Sequence, residues 1–203
     1  MRIPSRKECY RILFDAEVPE HIVAHCIQVC RVAMLLVDHL KLSEKNLNRP
    51  LIEAAALLHD IMKMKSLEGD KGWHDQTGAG YVEELGYPEV ANLVRQHVRL
   101  DEYFASESIS DAEVVNYSDK RVLHDKVVPL VERGNYIIER YAVTEEIRKR
   151  VETFWKKAED LEKRLFDRLP FSPGELGGRL GCEDCCDELS AYSDVCKKIS
   201  ESE

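Results

Sequence analysis

Several histidines and aspartates in this chain fall where a helical reading turns them inward. Imidazole nitrogens and carboxylate oxygens that converge from packed helices are the usual donors of a transition-metal site. His25 lies on the inward side of a segment whose apolar positions 22, 26, 29, 33, 36 and 40 recur at helical spacing. The pair His59-Asp60 closes an apolar run in AALLHDIMK, just where the sequence turns polar. His74 and His97 each stand at an end of a short helical segment, and Asp119 follows NYS in another. Taken singly, each residue has a simpler account. His25 suits a hydrogen-bonded core histidine, Asp60 a helix-end carboxylate facing water, and His74, in GWHDQ, a solvated helix start. The pair after AALL is harder to dismiss, because a charge buried there needs a partner or a metal.

The elements that would position these residues read as helix after helix, with no convincing alternating strand. Pro19 suits the first turn of the segment that carries His25, and Pro50 opens the next, striped by Leu51, Ala54, Ala55, Leu58 and Met62. The chain is loop-like around Gly69 and Gly72. A short helix is expected from about Trp73 to Leu85, stopped by Gly86, and Pro88 opens the amphipathic PEVANLVRQHV. Ser110 and Asp111 cap a helix that runs through Asp119 to Val122. Residues 130–141 form another, and Thr144 starts a long last helix through Phe166. The expected fold class is therefore all-α, a helical bundle over residues 1–169. Residues 170–203, rich in Gly, Ser, Cys and acid, are expected as a tail with a disordered composition.

Composition narrows the function classes. The 203 residues are enough for one sizeable core, and 44% hydrophobic with 33% charged is ordinary for a globular cytoplasmic protein. Apolar runs are short, the longest being closed by Asp38, so a membrane span is not expected. A net charge of −9 argues against stable binding to nucleic acid, though not against a small phosphorylated substrate. Seven cysteines without a signal peptide suggest free thiols in a reducing compartment.

The order H…HD…D, with the pair inside AALLHDIMK and the last Asp inside YSDK, resembles the HD-domain superfamily of metal-dependent phosphohydrolases. The likeness spans about residues 20–142 and includes VLHDKVVPLVERGNYIIERY, a stretch similar to smaller bacterial members. It implies a helical core in which His25, His59, Asp60 and Asp119 bind one divalent ion. Members with histidines at the places of His74 and His97 resemble binuclear enzymes, in which Asp60 bridges both ions and those histidines hold the second. Such a pair, with iron or manganese favoured, suits attack of hydroxide on phosphorus. Lys63, which completes HDIMK, is expected to contact a substrate phosphate or else to be a solvated lysine of a KMK run. Arg121 in SDKR is a second candidate of that kind.

The implied function is hydrolysis of a phosphoester or phosphoanhydride of a nucleotide-like substrate, with a dinucleoside polyphosphate as one instance. The same ligand set also resembles the HD-type di-iron oxygenases, and a non-catalytic module that holds a phosphorylated ligand is a third reading. IMK after the HD pair departs from the acidic Glu-Asp of alarmone hydrolases, and Met62 replaces the glycine of the HDIG form. Gly86-Tyr87-Pro88 spells the HD-GYP tripeptide but reads as a helix stop and start. His21 is expected beyond the ligand shell at best, and His39 and His124 as surface or capping residues. In the tail, Cys182, Cys185, Cys186 and Cys196 lack the second knuckle of a zinc ribbon and are expected as thiols. The sequence gives no sign of oligomeric state.

Overall fold

The computed structural model describes residues 2–40, 44, 46–68, 73–181 and 183–201. The all-α class holds. Eleven α-helices are described: α1 (Arg6–Asp15), α2 (Glu20–Leu40), α3 (Arg49–Leu58), α4 (Lys63–Glu68), α5 (His74–Glu84), α6 (Pro88–Gln96), α7 (Asp111–Lys120), α8 (Leu130–Tyr141), α9 (Glu145–Phe166), α10 (Leu176–Arg179) and α11 (Glu183–Ser200). The start of α1, not anticipated from periodicity, is fixed by a reciprocal cap. The Ser5 hydroxyl accepts from Glu8 N–H while the Glu8 carboxylate accepts from Ser5 N–H. The same arrangement, Ser110 with Glu113, starts α7, and the Thr144 hydroxyl caps α9. Gly86, at φ +86°, supplies the left-handed residue that ends α5, and Pro88 begins α6.

The central element is α2. It packs against α3 and α7, while α6 lies on α3 and α5. By length and composition α2 could cross a membrane, which the short apolar runs had not suggested, but most of that stretch is buried within the fold. This interior position explains why polar His25, Gln28 and Arg31 on the same helix are buried too. Helix α8 approaches α9 closely at Gly134, where an added methyl group would lie 2.6 Å from the Trp155 indole nitrogen. That indole nitrogen donates to the Leu130 carbonyl at 2.9 Å.

Two expectations need correction. Helix α7 ends at Lys120 rather than Val122. The chain then makes a small antiparallel hairpin, β1 (Val122–Leu123) with β2 (Lys126–Val127), turning at His124 with φ +57°. Residues 170–201, where described, form no loose tail. A 3-10 turn over Pro173–Glu175 leads into α10 and α11, and Phe171, Leu176, Leu180 and Tyr192 join the main core. Arginines anchor this segment: Arg6 pairs with Glu188 at 2.6 Å, and Arg31 donates to the Gly181 carbonyl at 3.1 Å. Local composition reads such a stretch as polar because its apolar residues are few; α11 finds its place against α1 and α2, and Phe171 against Phe166 and His39. Cys182 and the side chains of Cys185 and Cys186 lie outside the described residues; Cys196 is a free thiol.

Candidate metal centre

The helix boundaries place the candidate ligands. Leu58 is the last residue of α3, His59 is its C-cap, and Asp60 enters the turn before α4. His97 is likewise the C-cap of α6. His74 is the first residue of α5, Asp119 sits in the last turn of α7, and His25 projects from the interior of α2. The structure brings all six side chains together.

Asp60 stands in the middle. Its Oδ2 is 3.6 Å from His25 Nε2 and 3.4 Å from His59 Nε2, while its Oδ1 is 3.4 Å from His74 Nε2 and 3.6 Å from His97 Nε2. Asp119 Oδ1 closes the first group, 3.2 Å from His25 Nε2 and 3.6 Å from His59 Nε2. His74 and His97 face one another with their Nε2 atoms 3.2 Å apart. Two overlapping ligand groups result, one of His25, His59 and Asp60, the other of Asp60, His74 and His97.

Backbone carbonyls orient three of the imidazoles. His25 Nδ1 donates to the His124 carbonyl at 2.6 Å, His59 Nδ1 to Ala56 at 2.8 Å, and His97 Nδ1 to Val94 at 2.6 Å. A carbonyl only accepts, so each Nδ1 carries the proton and each Nε2 is aimed at the centre as a ligand atom. The end of α6 is itself held. Lys120 Nζ donates to the carbonyls of His97 and Val98, each at 3.3 Å, and to Asn116 Oδ1 at 2.9 Å. Asn116 Nδ2 donates to the Gln96 and His97 carbonyls, each at 3.0 Å. Burial pushes the Lys120 ammonium down to about 8. Lys120 and Asn116 thus tie the helix carrying Asp119 to the end of the helix carrying His97.

The electrostatics are those of a buried site. Burial alone would raise the Asp60 carboxyl, but His59, His97 and Lys63 hold it well below the carboxylate range. Asp119 is held low against burial by His25 and His59. His59 is lifted well above the imidazole range against burial, chiefly by Asp60, whereas burial lowers His74. His59 Nε2 and Asp60 Oδ1 are buried with no hydrogen-bond partner. Buried polar atoms are rarely left so, and these two point into the middle of the donor set. The residues present therefore fit divalent metal, which binds where imidazoles and carboxylates converge and displaces their protons.

The opening lies on one side. His25, His59, Asp60 and His97 are buried, whereas the side chains of His74 and Lys63 are each 28% exposed and that of Asp119 is 15% exposed. Lys63 Nζ lies 2.6 Å from Asp60 Oδ2; Asp60 and Asp119 keep it charged although burial works against this.

Arg121 is elsewhere, and its expected contact with a substrate phosphate is not what the structure gives. Its guanidinium is buried, pairing with Glu162 at 3.0 Å and donating to the Val128 carbonyl at 2.8 Å and the Pro173 carbonyl at 2.9 Å. It points into a knot of α7, β2, α9 and the 3-10 turn. A residue two positions after Asp119 lies about 200° round the helix, on the opposite face. His21 is exposed and apart from the centre, while His39 donates to the Leu35 carbonyl at 2.9 Å. His124 matters through its backbone, which single-residue reasoning missed. The available signal was the polar HD pair between VL and KV, a short hairpin pattern. Arg133, also missed, is among the cations that hold Asp119 low.

A sequence model of the HD domain matches residues 22–167. No curated protein matches the chain. Among solved structures, a predicted HD superfamily hydrolase from an uncultured Thermotogales bacterium is similar, at 20% identity over 82% of this chain and 94% of that chain, with a TM-score of 0.47. The family match takes in every residue of the centre from His25 to Asp119, and this chain belongs to the HD-domain family.

Proposed function

We propose that the protein is a metal-dependent phosphohydrolase acting on a phosphoester or phosphoanhydride of a nucleotide-like substrate. The observation that carries this reading is the two-sided placement of Asp60, one oxygen toward His25 and His59 and the other toward His74 and His97. His25, His59, Asp60 and Asp119 would hold one divalent ion, and His74, His97 and Asp60 a second. Two ions so held supply Lewis acidity to a phosphoryl group and acidify water at neutral pH.

The chain's own residues supply the rest. Lys63 is charged and partly exposed beside Asp60, so its ammonium can meet an incoming phosphoryl oxygen. Kept charged by two carboxylates, it neutralises and orients rather than abstracting a proton. The carbonyls of Ala56, Val94 and His124 fix the imidazoles before substrate arrives, which removes reorganisation from the reaction. Buried His59 and His97 close the floor of the site to bulk water, leaving access past His74, Lys63 and Asp119.

The test is elemental analysis of protein purified without chelator, beside Asp60→Ala, followed by a panel of phosphate esters and nucleotides with manganese in the absence of oxygen. About two equivalents of transition metal, near none in the variant, and anaerobic hydrolysis support the proposal. Absence of metal after incubation with manganese or iron, or turnover only with oxygen, overturns it.

A further inference from the structure

Outside the centre, helix α8 carries a cationic stripe that the reaction as proposed leaves unused. Arg133, Tyr136 and Arg140 are spaced three and four residues apart and share one face of α8, while Leu130 and Gly134 on the same helix are buried. The Arg133 guanidinium carbon lies 5.7 Å from the Tyr136 ring centroid, and that of Arg140 lies 5.9 Å from it. The edge of the His124 ring meets the same tyrosine, at 5.6 Å and 81°. Through its carbonyl, His124 also holds His25 of the metal centre. One hairpin turn therefore joins the centre to the tyrosine that carries both arginines.

Neither arginine is neutralised. Among the described residues no carboxylate lies within ion-pair distance of Arg133 or Arg140, whereas Arg6, Arg49, Arg95, Arg121, Arg164 and Arg168 are all paired. Glu132 and Glu139 precede them in sequence but make no ion pair with them, so both guanidinium groups remain available to an anion. Tyr136 lies beside both guanidinium groups, and Arg140 also lies 5.8 Å from the Tyr141 ring centroid, so aromatic contacts restrain the two cations on one face.

Resting on the proposed phosphohydrolase reading, we propose that Arg133 and Arg140, held by Tyr136, form a subsite for a second anionic group of the substrate. The reacting phosphoryl group sits at the metal centre, and the next phosphate along the chain sits on α8. The substrate class is then a phosphoanhydride or longer polyphosphate chain rather than a simple monoester. Arg140 stands about two helical turns beyond Arg133, a spacing that suits a chain of phosphates rather than one.

Calorimetry on metal-saturated protein, with free manganese in excess, tests this with two non-hydrolysable probes: methylenebisphosphonate and methylphosphonate. The parent is expected to prefer the bisphosphonate by about ten-fold or more, the scale of one charge-assisted arginine contact. Arg133→Ala/Arg140→Ala should lose that preference while keeping its metal and its affinity for methylphosphonate. Arg11→Ala, which removes one charge on α1, should change neither. Arg133→Lys should restore part of the preference, since charge returns without the fork. No preference in the parent overturns the proposal, as does a preference that survives in the double variant. A parallel loss of both affinities with the metal would show that α8 only supports the fold, and also overturns it. Failure of the phosphohydrolase reading would look different: metal bound, but no phosphate ester turned over.

Discussion

Two buried polar clusters meet at the C-terminal end of α7, and their bonding differs. Around Arg121, at the helix end, the charge is used up: Glu162, the carbonyls of Val128 and Pro173, and the Tyr117 hydroxyl all meet the guanidinium. Around Asp60, which Asp119 reaches from the same last turn, oxygens and nitrogens crowd together, yet His59 Nε2 and Asp60 Oδ1 have no hydrogen-bond partner. Both clusters combine charge with burial, so neither property separates scaffold from site. Tyr10, Asp75 and Tyr103 also carry a buried unpartnered oxygen, so what marks the site is that unpartnered atoms converge with further donors. A buried group that is fully bonded stabilises a fold or at least specifies it, whereas convergent donors left unsatisfied await a ligand.

Four measurements test this contrast. The largest effect is expected at the unsatisfied cluster. Asp60→Asn should lower phosphohydrolase turnover by roughly 10³-fold or more, since it removes a preorganised charge from the reacting centre. Bound metal should fall to near zero in the same preparation, and full retention of both ions would contradict the bridging placement. The satisfied cluster should answer in stability instead. Arg121→Gln leaves Glu162 without its buried partner and should cost about 3 kcal/mol in urea unfolding, with metal content and KM unchanged. A raised KM at unchanged stability would return Arg121 to the substrate.

Metal should then stabilise one cluster only. Adding manganese to chelated protein at a hundred-fold excess over its Kd should contribute about 2.7 kcal/mol, visible as a higher Tm. In Asp60→Asn the increment should vanish, and in Arg121→Gln it should persist. Lys120→Met lies between the two cases, because Lys120 is bonded to the carbonyl of His97. It should cost about 1–2 kcal/mol and weaken the second ion by roughly ten-fold, read by competition with a chelating dye. Equal weakening of both ions would mean that Lys120 acts on the whole core.

Much of this was legible in the residues themselves. Pro50, Gly86, Pro88, Ser110 and Thr144 mark helix ends by local chemistry, each through its own φ or a cap bond within three residues. The candidate donor set came from the resemblance of H…HD…D to the HD superfamily, since residue type alone could not choose among seven histidines and many carboxylates. The missed elements share another cause. Helix α1 depends on the cap at Ser5 more than on apolar spacing, and α11 on partners such as Arg6, which is 182 residues from Glu188.

The residues alone set the helical class, since periodicity and capping are properties of short stretches, and a family motif named the candidate donors. Tertiary structure decided where those donors point. His25 is oriented by a carbonyl 99 residues away, and Arg121 turns from the centre because Glu162, 41 residues on, holds it. Side-chain direction is set by packing between segments remote in the chain, and no local pattern encodes which remote partner will arrive.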